Sequence, residues 1–266
     1  MTRLALGVEY DGSGYSGWQR QHHADSVQAR LEQALAAIAR HPVEVVAAGR
    51  TDAGVHACAQ VVHFDTPVAR PGRAWVRGVN AHLPPDIGVR WVAWPGDDFD
   101  ARRSGLYRSY RYLLLDTPLR PVLLRDRVGW TWKPLDAARM QAAAGDLIGE
   151  HDFSSFRAAA CQAHHPVRRI QSLRIARHDG VIAFDITANA FLHHMVRNIV
   201  GTLMLVGAGE KPDDWVATVL AARDRRRAGM TAPAEGLYLQ GVGYPERFGL
   251  PGPPPGPVFA CVQTGG

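Results

Sequence analysis

The chain has 266 residues, 46% of them hydrophobic, and a formal net charge of +5. That length allows one large domain or two small ones with a proper core, and the absence of any apolar run of roughly 18–20 residues excludes a helical membrane span. The positive balance suits a polyanionic partner without identifying one.

Alternation predicts a strand over 4–10. Met1-Thr2-Arg3-Leu4 enters it directly, so no signal peptide is expected. Val27, Leu31, Ala34, Leu35 and Ile38 recur at helical spacing, with Asp25 or Ser26 as the N-cap. Strands follow over 43–48 and 60–65, then a helix over 73–81 and a strand over 87–93. The second half repeats the order, with a strand over 109–115 and a helix over 135–147. Strands over 167–176 and 181–188 come next, then helices over 191–207 and 213–222, and a last strand over 236–242. Each half reads βαββαβ, the ferredoxin-like pattern. The expected fold class is therefore α+β: two ferredoxin-like halves with antiparallel sheets and helices on one face. The expected boundaries are 1–105 and 106–247, followed by a Pro- and Gly-rich tail, 248–266, read as disordered.

The most informative stretch is Gly49-Arg50-Thr51-Asp52-Ala53-Gly54-Val55-His56, a polar loop between two β-branched runs. Its glycines allow a tight turn and close approach of a ligand. An arginine two residues from an aspartate favours the ionised carboxylate, and a charged carboxylate can serve as a nucleophile. The plainer reading is an Asp-Gly turn closed by a surface ion pair. Further along, Tyr107-Arg108-Ser109-Tyr110-Arg111-Tyr112 interleaves aromatics with arginines. Alternation puts Tyr110 and Tyr112 on one face of the strand and Arg111 on the other. Either one aromatic is buried and the rest are solvated, or the strand offers a stacking platform for a nucleobase.

Five segments carry a family resemblance: the Asp52 loop, Tyr10–Gln19, His151–Arg157, Phe191–Gly201 and Ala234–Leu239. Together, and in the right order along the chain from about Leu4 to Pro245, they resemble the TruA family of tRNA pseudouridine synthases. The resemblance implies a catalytic cleft between the two halves and a cofactor-independent isomerase. Its substrate would be uridine at positions 38, 39 and 40 of the tRNA anticodon stem-loop. It implies Asp52 as the catalytic carboxylate, attacking ribose or base or abstracting a proton, and Arg50 as the residue that keeps it ionised and fills the space of a flipped nucleotide. It matches Tyr110 to the active-site tyrosine, with Tyr112 as the alternative register, and places Leu237 beneath the base. His194 and Arg197, with Asn198, are polar at neighbouring turns of the 191–207 helix and are candidates to face the cleft. The partners implied are tRNA and a second copy of the chain in a homodimer. The rival is a non-catalytic RNA-binding protein on the same scaffold.

Other signals are weaker. Gly12-Ser13-Gly14-Tyr15-Ser16-Gly17 has the spacing of a dinucleotide loop, but Trp18 and a polar run separate it from the helix, so no nucleotide cofactor is expected. Backbone amides meeting an RNA phosphate suit it better. His56, Cys58 and His63 lack the spacing of a zinc site, so no metal is expected. Cys58, Cys161 and Cys261 are isolated and odd in number, fitting a reducing, cytoplasmic setting. All but Lys133 and Lys211 of the 30 basic residues are arginine. Arg102, Arg103, Arg108 and Arg111 form one cluster, Arg168, Arg169, Arg174 and Arg177 a second, and Arg223, Arg225, Arg226 and Arg227 a third. Each either touches phosphate or is a solvated face.

Overall fold

A computed structural model describes residues 1–254, 256 and 257. The described residues cluster into two compact units, Met1–Tyr107 with 238–257, and Arg108–Leu237. The class is α+β, with mostly antiparallel strands, as the order of elements implies.

The first unit contains β1 (Thr2–Tyr10), α1 (Val27–Ala39), β2 (Val46–Ala47), β3 (His56–Thr66), α2 (Gly72–His82) and β4 (Ile87–Ala93). β1 lies between β4 and β3, and β2 pairs with β3, all antiparallel. Leu4, Leu6 and Val8 of β1 are buried, as are Leu31 and Leu35 of α1 and Trp75 and Val79 of α2. Of the two expected N-caps, Ser26 is the one used, its Oγ accepting from the Ala29 N–H. The expected strand over 43–48 is reduced to two residues. The reason lies in α1, whose side chains take the backbone groups of Val45. The Val45 N–H donates to Glu32 Oε1 at 3.1 Å, and Gln28 Nε2 donates to the Val45 carbonyl at 3.4 Å.

The second unit runs through β5 (Tyr107–Asp116), β6 (Gly129–Thr131), α3 (Ala137–Ala144), β7 (Gly149–Asp152), β8 (Val167–His178), β9 (Val181–Ala188), α4 (Met195–Gly207) and α5 (Trp215–Ala222). Its sheet has the order β5-β9-β8-β7, antiparallel throughout, with β6 added in parallel to β5. Tyr112, Phe153, Phe156 and Phe184 fill its core with Met195, Ile199 and Leu203 of α4. Asp136 caps α3 by accepting from the Ala138 and Arg139 N–H groups. α3 then tightens into a 3₁₀ turn over Gly145–Leu147, so it is shorter than the 135–147 expected. α4 begins at Met195 rather than 191, because His194 adopts a left-handed backbone, φ 61°, that a right-handed helix cannot contain.

The last strand, β10 (Leu237–Gly243), pairs in parallel with β3, Tyr238 opposite His56 and Leu239 opposite Ala57. Read from sequence it closes the second half; in the structure the chain from Tyr238 clusters with the first unit. A 3₁₀ turn over Glu246–Phe248 comes next. At the start of the segment expected to be disordered, Phe248 is buried, its ring 5.1 Å from that of Phe99. Gln240 Nε2 donates to the Pro254 carbonyl at 2.8 Å. Residues 255 and 258–266 of that segment lie outside the described residues.

Candidate active site

The Asp52 loop links β2 to β3. Its turn closes where the Val55 N–H donates to the Asp52 carbonyl at 3.1 Å. Asp52 is half-buried and Arg50 is exposed. Thr51, between them, is buried, its Oγ1 2.8 Å from the hydroxyl of the equally buried Tyr10. Burial pushes that hydroxyl's pKa up to about 12, so Tyr10 is a neutral hydrogen-bonding group at physiological pH. The Thr51 carbonyl accepts from the Trp18 N–H at 3.0 Å. Gln60 Nε2 donates to the Gly49 carbonyl at 2.7 Å. The backbone is thus held on both sides of Asp52.

The glycine motif owes its spacing to this loop. A Cβ on Gly12 would collide with the Val55 carbonyl, and one on Gly17 would stand 2.8 Å from the Thr51 carbonyl. Gly17 also has a φ of 93°, which side chains resist. Gly14, by contrast, faces open space. The first and last glycines therefore let one loop press its backbone against the other. His56 is buried at the start of β3, its ring stacked 4.6 Å from that of Tyr238. Its Nδ1 lies 3.1 Å from the Gly12 nitrogen and 3.0 Å from Asp11 Oδ1. Seven residues on, His63 Nδ1 accepts from the Ala101 N–H, and burial lowers its pKa. Each imidazole is engaged where it stands, and nothing on β3 directs the two at one point.

In the second unit, Tyr110 sits on β5 opposite Ile186 of β9, half-buried. Its ring meets Phe191 edge-on at 5.1 Å. Tyr112 is fully buried, its hydroxyl donating to the Pro233 carbonyl at 3.0 Å. Burial pushes the Tyr112 pKa far above the usual tyrosine range. Of the two registers weighed from sequence, Tyr112 is fully buried and Tyr110 half-buried. His194 precedes α4, its ring 4.0 Å from that of His193. Arg197, on the first turn, donates from Nε to the Ala232 carbonyl at 2.8 Å, and its own carbonyl accepts the Ala232 N–H at 3.1 Å. Leu237 is buried directly after a 3₁₀ turn over Ala234–Gly236.

Two sequence readings are corrected by this geometry. Asn198 faces no cleft: it is fully buried, donating from Nδ2 to the Phe156 carbonyl at 2.7 Å. Its Oδ1 accepts from Thr231 Oγ1 at 2.6 Å and from Arg225 at 3.0 Å. The arginine clusters also carry less open charge than their composition implies. Arg111 is buried in a two-pronged pair with Asp185, its cross-strand neighbour, at 2.7 and 2.9 Å. Arg177 pairs in the same way with Asp116, and Arg226 with Asp224. Arg168 spends its guanidinium on the carbonyls of His165 and Val167. Sequence patterning showed the basic residues but not the acids folded against them, because each partner is either far along the chain or hidden by a turn.

Comparison with known proteins shows the family. Residues 7–102 and 143–245 match the family model described as tRNA pseudouridine synthase. A tRNA pseudouridine synthase A of Enterobacter sp. is 56% identical over 257 residues, covering 97% of this chain and 95% of that one. Another, of Salmonella arizonae, is 55% identical with the same coverage. Among solved structures, an H/ACA RNP bound to a substrate RNA containing 2′-deoxyuridine is matched at 10% identity with a TM-score of 0.37. That match covers 76% of this chain and 44% of the other, too remote to add to the assignment. Arg50, Asp52, His194, Arg197 and Leu237 fall inside the family match, whereas Tyr110 falls in the interval between its two parts.

Proposed function

The chain belongs to the tRNA pseudouridine synthase family, and from that premise we propose that it isomerises uridine to pseudouridine in the anticodon stem-loop of tRNA. The observation that carries the proposal is the Asp52 loop: a half-buried carboxylate on a backbone held at Gly49, Thr51 and Val55. A surface turn needs no such support. The reaction breaks the bond between uracil and ribose, rotates the base and forms a carbon–carbon bond. All atoms of the uridine are retained and nothing is oxidised or reduced, so the chemistry requires no redox cofactor.

Asp52 supplies the carboxylate, attacking the ribose or the base or abstracting a proton. Arg50, exposed beside it, meets the phosphate backbone and occupies the space left by the flipped nucleotide. Tyr110 stacks on the uracil and receives the proton leaving the carbon that becomes attached, while the ring nitrogen freed from ribose takes one up, so no proton is gained or lost overall. Leu237 packs beneath the base, and His194 and Arg197 bind the substrate. The resemblance read in the sequence is what supports one assignment for these residues, with Tyr110 lying outside the family match. Flipping costs a few kcal/mol, which stacking and phosphate contacts offset. The working form we propose is a cytoplasmic homodimer acting on tRNA.

A non-catalytic RNA-binding protein on this scaffold is the competing reading. A tRNA transcript incubated with the purified protein separates the two. Pseudouridine mapped in the anticodon stem-loop afterwards, and not before, supports catalysis. Tight binding with no conversion by the wild-type protein sinks the proposal in favour of the rival.

A further inference from the structure

A polar network inside the second unit, remote in sequence from the catalytic motif, ties together the segments that carry Arg197 and Leu237. Its centre is Arg225, which the sequence groups with surface arginines. Arg225 donates to the Gly229 carbonyl at 2.8 Å, to Asn198 Oδ1 at 3.0 Å and to Thr231 Oγ1 at 3.1 Å. Thr231 in turn donates to Asn198 Oδ1 at 2.6 Å. Thr202, one turn further along α4, donates to the Asn198 carbonyl at 2.7 Å and accepts the Gly229 N–H at 3.0 Å. The segment 228–233 is thereby fastened to α4, with close backbone approach as a second constraint. A Cβ on Gly201 of α4 would collide with the Met230 carbonyl.

The fastened segment fixes both Arg197 and the chain leading to Leu237. Arg197 and Ala232 exchange two hydrogen bonds, and the Pro233 carbonyl receives the Tyr112 hydroxyl. The next residues form the 3₁₀ turn that ends at Leu237. We infer that Arg225, through Asn198 and Thr231, is a positioning residue for Arg197 and Leu237 and not a phosphate contact. The inference rests on the proposed reaction, since it assigns a role to the support of that reaction's substrate-binding residues. The network is buried at Asn198 and Thr202 and half-buried at Arg225 and Thr231; a satisfied polar network holds one geometry, and a missing member leaves partners unpaired. A displacement of about 1 Å at a substrate-positioning group can lower a rate about 100-fold.

The test uses the full chain with Arg225→Met, Arg225→Lys and Thr231→Val, the last removing one hydroxyl while keeping shape. Single-turnover pseudouridine formation at saturating tRNA is measured beside tRNA affinity at several salt concentrations. The expected result is a rate loss of about 10-fold or more in Arg225→Met and Thr231→Val. Affinity should stay within about twofold and the salt slope should not change. Arg225→Lys should recover part of the rate, because an ammonium group retains donors for the carbonyl cluster. A phosphate contact predicts the reverse: unchanged saturated rate, weaker binding and a salt slope lower by about one. That result overturns the inference, as does a wild-type rate and affinity in all three variants. Should Arg225→Met fail to fold, Thr231→Val decides alone. A wild-type protein that forms no pseudouridine would count against the proposed function instead, before any variant is compared.

Discussion

Around Asp52 main-chain contacts predominate, with Gln60 and Tyr10 adding side chains, whereas around Arg197 and Leu237 side chains brought from distant parts of the second unit predominate. The Asp52 loop is bounded by main-chain contacts at Thr51 and Val55, by the Gln60 side chain at Gly49, and by glycines whose missing Cβ atoms make room for it. The 228–233 segment is bounded instead by Asn198, Thr202 and Arg225. Main-chain holding leaves a compact signature, because only glycine allows such approach. Side-chain holding leaves a fainter one: Gly201 marks the close approach to Met230, but an asparagine or arginine serving a network looks in sequence like one facing solvent.

If that contrast is right, the largest effect comes from the chemistry the first loop presents. Asp52→Asn should lower single-turnover pseudouridine formation by at least about 1,000-fold while tRNA affinity changes only a few-fold. Near-wild-type turnover would remove the carboxylate from the mechanism. The next effect tests main-chain holding itself. Gly12→Ala forces the loop or its neighbour to move, costing about 1–3 kcal/mol of stability and about 100-fold in rate. Gly14→Ala, in open space, should match the wild type in melting temperature and turnover. Equal behaviour of the two alanine variants would break the comparison.

On the second unit, Tyr110→Leu should lose both affinity and rate, since stacking contributes roughly 1–3 kcal/mol per base. Tyr110→Phe keeps the ring, so it should bind normally and form product about 100-fold more slowly if the hydroxyl takes the proton. Phe at wild-type speed would limit Tyr110 to stacking. Tyr112→Leu should act mainly on stability, because its ring and hydroxyl are spent in the core.

A smaller effect concerns side-chain holding by an ion pair. Burial alone would raise the Asp116 pKa, but hydrogen bonds from Arg177 and the Leu135 N–H outweigh it and hold the carboxyl below its usual range. A depressed folded pKa adds stability that is complete above the unfolded value and is lost as pH falls through the folded one. Asp116→Asn should therefore cost about 1–3 kcal/mol at pH 7, and the gap to wild type should narrow below about pH 4 in a denaturation series. A gap independent of pH would mean the carboxylate's charge contributes nothing. The smallest expected change is in the salt dependence of tRNA binding. Arg226, paired with Asp224, should leave the slope unchanged when replaced by alanine. Exposed Arg50 should lower it by about one. A reduced slope in Arg226→Ala would show that the pair opens to phosphate.

Much of this molecule is legible in its sequence. The expected strands over 87–93 and 181–188 coincide with β4 and β9, because alternation reports which face of a strand is buried. The stripe of Met195, Ile199 and Leu203 marks the buried side of α4. The Asp52 loop stands out because its arginine, aspartate and glycines lie within a few residues of one another. Tertiary structure decided the rest. It cut the 43–48 strand short by giving the backbone of Val45 to Glu32 and Gln28. It spent Arg111 on Asp185 and Asn198 on Arg225, and it set β10 beside β3. Periodicity and local motifs are written in neighbouring residues, so the sequence by itself determined most of the elements and singled out the Asp52 loop. Which polar group meets which depends on chain segments separated by tens of residues, and only folding brings those together.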